Sequence, residues 1–387
     1  MQYIIDKHID NKIVKKDTEC AIIMKNIFDN LEQYNFFTTT ENSNPINNAT
    51  EDKYAVPIQD FGGLQKRKLQ EFDEKAWHAG HGYEAKDMPL WNEKMEGLRP
   101  GFYIFAGFSN AGKTATCINI AYQYAMNPDN HLNLLYFTLD DTSQLVIPRM
   151  ISMIKGIPVS VCALPERYQE KITNGDIGGA RFAELIQKRE EGLQELMSQS
   201  SKIIIQDSSD IECAEKMLNF ALAYKSWLQI EDPDANLIVV IDSLMDVNIE
   251  TGRDRDEKER NTRISRTMKD WADNKLKCPI FGTAHLKKNP TLKRPVISDL
   301  KESGRYEYDA TAVFLVINDV SRNGQNASIY YEKPNSIEKQ PVIEIQWAKN
   351  KASSFKERLY YYFSPEYSKI VECTAEVMSQ YNQIIYS

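Results

Sequence analysis

The sequence has no C-x-x-C pair: its six cysteines, Cys20, Cys117, Cys162, Cys213, Cys278 and Cys373, are scattered. Such spacing offers neither a disulfide frame nor a zinc site and suits reduced thiols in the cytosol. No run approaches the ~18 uninterrupted apolar residues of a membrane span, so none is expected. Charges within the first ten residues replace a long apolar stretch and argue against secretion. Positive charge is also short. Forty-seven Lys and Arg face 55 Asp and Glu, for a net charge of −8, whereas proteins that coat nucleic acid are usually basic. A polyanion would therefore have to meet a local cluster. One exists between His285 and Arg305, where Lys287, Lys288, Lys293, Arg294, Lys301 and Arg305 face only Asp299 and Glu302, a net of +4 in 21 residues. A solvated surface loop has the same composition.

Against these absences stands one complete motif. Residues 107–114 read Gly-Phe-Ser-Asn-Ala-Gly-Lys-Thr, with every fixed position of G-x-x-x-x-G-K-T filled. Gly107 and Gly112 let the backbone curl so that N–H groups, including those of Ser109, Asn110 and Ala111, can face phosphate oxygens. Lys113 supplies a point charge for the outer phosphates, and the Thr114 hydroxyl can ligate Mg²⁺. Before the octet, 102–106 is a short apolar strand. After it, Ala115 to Met126 is apolar at helical spacing. Strand, loop and helix together aim a helix N-terminus at an anion.

The rest of the chain predicts three regions. Residues 1–60 form an N-terminal helical region: Ile13 to Phe37 has helical apolar spacing, and Thr38 to Asp52 is a Thr/Asn/Ser-rich linker. Residues 61–87 hold an amphipathic linker helix, Leu64 to His78, carrying Leu64, Leu69, Phe72 and Trp77. From residue 88 to 387 strands and helices alternate. Strands are expected at 102–106, 134–139, 202–206, 236–241, 279–284, 311–317, 342–348 and 358–363. Helices are expected at about 113–127, 142–155, 180–198, 211–229 and 257–276. The early strands are continuous apolar runs suited to a buried parallel sheet, and the last two predict an antiparallel edge. The fold class is α/β.

Two carboxylates end strands beside the glycine loop. Asp242 follows the apolar run Leu237 to Ile241 and can hold Mg²⁺ through water. Asp140 and Asp141 end the 134–139 strand: Asp140 can polarise a water, and Asp141 or Thr142 can cap the next helix. Trp227, Trp271 and Trp347 read as core or interface. Arg253 to Lys269 carries seven basic and four acidic residues on a helical period, as a solvated face does.

Several longer stretches, spanning roughly 88–372, resemble the motor domain of DnaB-type replicative helicases, hexameric superfamily 4 rings with a RecA-like core. They include Met88-Pro-Leu-Trp to Gly107, Tyr136-Phe-Thr-Leu-Asp-Asp with Arg149-Met150, and Leu237 to Leu244. Thr283-Ala-His-Leu-Lys287 and, above all, Arg294-Pro-Val-Ile-Ser-Asp-Leu-Lys-Glu-Ser-Gly304 complete the set. The His at 285, where bacterial members usually carry Gln, is similar to phage primase-helicases. The resemblance implies a RecA-like P-loop core. It also implies ATP or another nucleoside triphosphate with Mg²⁺, single-stranded DNA as the track, 5′→3′ movement and a ring of copies of the chain, a hexamer. A primase or helicase loader would be a further partner, with no membrane.

By the same resemblance, Gly107, Ser109 through Ala115 and Asp242 hold the nucleotide, and Thr114 and Asp242 serve the metal. Asp140 stands where the family has a catalytic Glu. His285 matches its γ-phosphate sensor. Lys349 and Lys351 match its trans-acting Lys-x-Arg pair, and Lys293, Arg294, Lys301, Glu302, Gly304 and Arg305 fall in its DNA loop. The Arg253 to Lys269 helix falls where the family has its other pore loop. Two positions depart from the pattern. Asp140 is one methylene shorter than Glu, and Lys351 lacks the planar fork of Arg, so hydrolysis is expected to be slow or tightly gated. Two other readings stay open: a RecA/RadA- or KaiC-like ATPase ring, and a low-turnover scaffold or helicase partner.

Overall fold

The computed structural model describes residues 60–78, 82–250, 256–287, 294–300, 304–333 and 337–386. The chain divides into two units, Met1–Asp73 and Glu74–Ser387. The helix and linker expected within 1–60 lie outside the described residues. Helix α1 spans Phe61–His78. Asp60 starts it, its carboxylate accepting from Gly63 N at 2.9 Å and its carbonyl from Leu64 N at 2.9 Å. Leu69 and Phe72 on α1 are exposed.

From residue 82 onward the elements follow in this order: α2 (Pro89–Met95), β1 (Gly101–Gly107), α3 (Lys113–Ala125), β2 (Leu132–Thr138), α4 (Ser143–Lys155), α5 (Val159–Ala163), α6 (Pro165–Thr173), α7 (Gly179–Ser198), β3 (Ile203–Asp207), α8 (Ala214–Glu231) and β4 (Asn236–Asp242). Then come α9 (Glu257–Asp270), β5 (Pro279–His285), α10 (Gly304–Asp309), β6 (Ala312–Asn318), α11 (Asp319–Asn323), β7 (Tyr330–Glu332), β8 (Lys339–Asn350), β9 (Arg358–Ser364), β10 (Lys369–Glu372) and α12 (Ala375–Tyr386).

Among the described residues ten strands make one sheet, ordered β10-β9-β8-β6-β1-β5-β4-β2-β3, with β7 pairing β8. The stretch from β6 to β3 is parallel; β8, β9 and β10 are antiparallel additions. This is the expected α/β core with its antiparallel edge. Strand alternation sends β1 side chains to two cores. Tyr103 and Phe105 pack with Ile118, Ala121 and Tyr124 of α3, Trp91 of α2 and Tyr381 of α12. Phe102, Ile104 and Ala106 pack with Met217 and Ala221 of α8 and Ile264 and Met268 of α9. A parallel sheet covered on both faces needs such continuous apolar strands.

Several elements depart from the sequence expectation. The 257–276 helix is α9 to Asp270, then a π turn, Trp271–Lys275, in which Leu276 N reaches back five residues to Trp271 O at 2.8 Å. This wider turn buries Trp271 and Ala272 together. Helices α2, α5, α6, α10, α11 and α12 and strands β7 and β10 were not foreseen, most of them too short to show a period. Trp271 and Trp347 are core, but Trp227 is 52% exposed and stacks on Tyr224 at 6.2 Å.

Candidate functional site

The C-terminal ends of β1, β2 and β5 meet at one cleft of about 570 Å³, a size typical of small-ligand sites. The glycine loop forms its floor. Asn110 at φ 61° and Gly112 at φ 93° turn the backbone through left-handed conformations. At Gly107 any Cβ would lie 2.7 Å from the Val316 carbonyl, so only glycine fits against β6. Gly112 precedes α3 without a side-chain cap, and the first helical bond is Thr116 N to Gly112 O at 2.8 Å. The amides of Lys113, Thr114 and Ala115 thus have no intrahelical acceptor, as an anion site requires.

Lys113 is 8% exposed. Its Nζ donates to Phe108 O at 3.1 Å and lies 3.4 Å from His285 Nδ1. Burial lowers its pKa, and Asp242 and Asp140 oppose the shift. His285 sits opposite Gly107 in the β1–β5 register. Burial and then Lys113 lower its pKa, so the ring is neutral. Because an ammonium only donates, Nδ1 accepts and the ring proton lies on Nε2.

Asp242 closes the floor behind Lys113. Its two oxygens are both held: Oδ2 by the Tyr136 hydroxyl at 2.8 Å and Oδ1 by Thr283 Oγ1 at 2.5 Å. Burial and Asp242 raise the Tyr136 pKa far above its ordinary value, so it stays a donor. The Asp242 carbonyl accepts from Leu139 N at 2.6 Å and Asp140 N at 3.2 Å, which stitches β2 to β4. Asp140 is exposed and lines the cleft.

Of the two residues expected to cap the next helix, Thr142 takes the N-cap position, without a side-chain bond. Asp141 turns its carboxylate to Arg149 at 3.0 Å rather than to the helix, and both line the cleft. The backbone of Thr142 is the N-cap of α4, and Asp207 at the end of β3 accepts from Ser143 N at 3.0 Å. Hydrogen bonds from Ser209 and Ser143 hold the Asp207 carboxyl far below the usual carboxylate range.

The opposite wall is Phe363, Pro365 and Ser368 from β9 and the turn after it. Asn119 of α3 ties that wall down: Nδ2 donates to Ser368 O at 2.8 Å, and Oδ1 accepts from Ile370 N at 3.1 Å. Sequence reasoning met Tyr136, Arg149 and Thr283 only within matching stretches and gave them no role, and it missed Asn119 and this wall. A buried-helix Asn at an apolar position was the one local signal, since such a group must find partners.

The residues present fit a nucleotide with Mg²⁺. A desolvated lysine and open helix amides await an anion. Among the described residues no three His, Cys, Asp or Glu side chains gather as a metal cage, and Mg²⁺ is usually held by one or two protein oxygens plus phosphate and water.

The remaining predicted residues lie elsewhere. Lys349 and Lys351 leave the end of β8 and rest on α10. Lys349 Nζ donates to the carbonyls of Glu307 and Tyr308, and Lys351 Nζ donates to Tyr308 O at 3.0 Å. Burial, then the neighbouring Lys351, bring the Lys349 pKa down to about 8. Lys293, Lys301 and Glu302 fall outside the described residues. Gly304 opens α10. Arg305 Nε bonds Asp309 at 2.8 Å, and Arg294 pairs with Glu344. A second cleft, of about 370 Å³, gathers Lys258 of α9 with Lys287, Ser298, Gly304 and Glu307.

Comparison with known proteins agrees with this architecture. Residues 86–372 match the family model for the DnaB-like helicase C terminal domain. The replicative DNA helicase DnaB of Buchnera aphidicola subsp. Schizaphis graminum is 27% identical over 232 residues, 59% of this chain and 44% of that protein. A probable plasmid replicative DNA helicase of Chlamydia trachomatis is 27% identical over 239 residues, 61% and 47% of the two chains. The chain thus spans about half the length of the curated relatives it matches. Among solved structures, an isolated ATPase domain superposes with a TM-score of 0.62 at 20% identity, covering 81% of this chain and all of that one. A DnaB-like replicative helicase, solved to show its interactions with primase, gives 0.60 at 18% identity, covering 80% and 68%. These two likenesses are of fold. With three quarters of its length inside the family model, the chain is a member of the DnaB-like helicase C-terminal domain family.

Proposed function

We propose that this chain is the motor of a ring helicase that hydrolyses ATP, or another nucleoside triphosphate, to move 5′→3′ along single-stranded DNA. The observation that carries the reading is the 3.4 Å approach of Lys113 Nζ to His285 Nδ1. It joins the phosphate-binding lysine to the last residue of β5, where the basic segment begins.

Within the cleft, Lys113 and the amides opening α3 bind and orient the phosphates. Thr114 and, through water, Asp242 would hold Mg²⁺, which when bound would neutralise charge on the phosphate oxygens. Asp140 orients the attacking water and accepts its proton. His285, neutral and touching Lys113, senses whether the outer phosphate is there. Lys349 and Lys351 reach the nucleotide of the adjacent copy after leaving the Glu307 and Tyr308 carbonyls. Six copies place six basic segments around a pore, which reconciles an acidic chain with a phosphate ligand. Lys293 and Lys301, with Gly304 beside them, grip the backbone without reading bases, and Arg305 stays on Asp309. A primase or a loader is the natural partner, in the cytoplasm of the cell or host.

Steady-state hydrolysis with and without oligo-dT, alongside strand displacement on a forked duplex, tests the reading. Turnover stimulated by oligo-dT and displacement from one fork polarity is the expected result. Nucleotide binding with turnover indifferent to DNA would replace the motor with a nucleotide-stabilised scaffold.

A further inference from the structure

Arg294 is the first described residue after β5 and Lys287. Its guanidinium pairs with Glu344 Oε2 on β8. Arg358 on β9 takes the other oxygen, Nε to Oε1 at 2.7 Å. Glu344 is 1% exposed, so both charges that face it are structural partners inside the protein. Burial lifts its carboxyl above the ordinary range, and the two guanidinium groups pull it back. Arg358 continues outward to the Tyr386 hydroxyl of α12 and lies over that ring at 5.2 Å. A buried carboxylate deprived of one of two cationic partners is destabilising. Arg294 therefore cannot leave for a phosphate without unbalancing the sheet. The same segment is tied a second time, on the β5 side. Leu286 bridges Leu300, Lys287 N donates to Asp299 O at 2.8 Å, and the Asp299 carboxylate accepts from Val296 N at 3.0 Å.

We propose that Arg294 is a positioning residue and no phosphate ligand: clamped on Glu344, it anchors one flank of the DNA-gripping loop to β8 while the Leu286–Leu300 bridge anchors the other to β5. The lysines on either side, Lys293 and Lys301, are left to meet phosphate. This rests on the reading of 285–305 as a single-strand grip.

The test uses the full chain and oligo-dT over a salt series, with Arg294→Gln, Glu344→Gln, their double variant and Lys301→Ala. Each of the first two is expected to weaken binding by about tenfold with the wild-type salt slope, and the double variant to be no weaker than the worse single, since both break one clamp. Lys301→Ala, a phosphate contact, lowers the slope by about one. A slope reduced by about one in Arg294→Gln, with Glu344→Gln binding like wild type, overturns the proposal. If Glu344→Gln does not fold, the Arg294→Gln slope decides alone. Hydrogen exchange of peptides covering 294–300, measured without DNA, is expected to quicken in both variants; wild-type exchange in both also overturns it. If the wild type itself ignores oligo-dT, the single-strand reading fails, and the exchange rates still judge the clamp.

Discussion

The glycine-loop cleft and the segment after β5 treat positive charge in opposite ways. In the cleft, Lys113 is nearly buried yet rests on a carbonyl and a neutral imidazole, with its nearest acids acting through space. After β5, Arg294 and Arg305 each sit directly on a carboxylate, Glu344 and Asp309. A cation already on a carboxylate has little left for an anion from outside, whereas a desolvated lysine without one gains most from a phosphate. Under the clamp proposed above, the difference separates arginines that shape the protein from a lysine kept for ligand.

The sharpest way to break this comparison is Lys113→Ala. Losing a preorganised cation at the phosphates should cut kcat by about 10²–10³, read as steady-state turnover; undiminished turnover would take the glycine loop out of the site. Next comes Lys351→Arg. Arg fingers are worth about 10³–10⁵ in other NTPases, so part of that gain, roughly tenfold, should appear as faster turnover at saturating nucleotide and DNA. An unchanged rate removes residue 351 from the neighbouring cleft.

A smaller effect is expected from Thr283→Val. It leaves Asp242 Oδ1 without its 2.5 Å donor, a loss of about 1–3 kcal/mol for a buried acceptor. The midpoint of thermal unfolding should fall, with nucleotide recovering part of it. Smallest is the pH response of His285. Its folded pKa is lowered, so between the ordinary value of about 6.5 and the lower folded value the unfolded chain binds the proton and the folded chain does not. Stability should therefore drop as pH falls through that window and stay level above it. His285→Gln should flatten that slope in melts from pH 7.5 to 5; an identical slope would show that His285 does not titrate there.

The nucleotide half of the molecule was legible because its signals are local. Gly107, Gly112, Lys113 and Thr114 are contiguous, and β1, β2 and β4 are unbroken apolar runs that can only be buried. Asp242 was legible as an acid ending such a run. What escaped was set by tertiary contact. Asp141 was a plausible cap until Asp207, 66 residues later, took the Ser143 amide. The pairing of Arg294 with Glu344 was hidden because the partner lies 50 residues away on a strand whose polar position gives no hint of burial. The Phe363–Ser368 wall belongs to an antiparallel edge that carries no motif at all. Trp227 was read as core or interface, and helical spacing alone could not say which; it is 52% exposed.

Asn119 has a consequence for any attempt to trim this protein. One amide on the first helix after the glycine loop fastens the turn at Ser368 and the start of β10. The pocket is therefore closed by amino acids some 250 positions downstream of the octet that opens it, and the shortest fragment that can still enclose its ligand must run to the final strand. A clone ending at Pro365 should keep its sheet's centre and lose its grip on nucleotide.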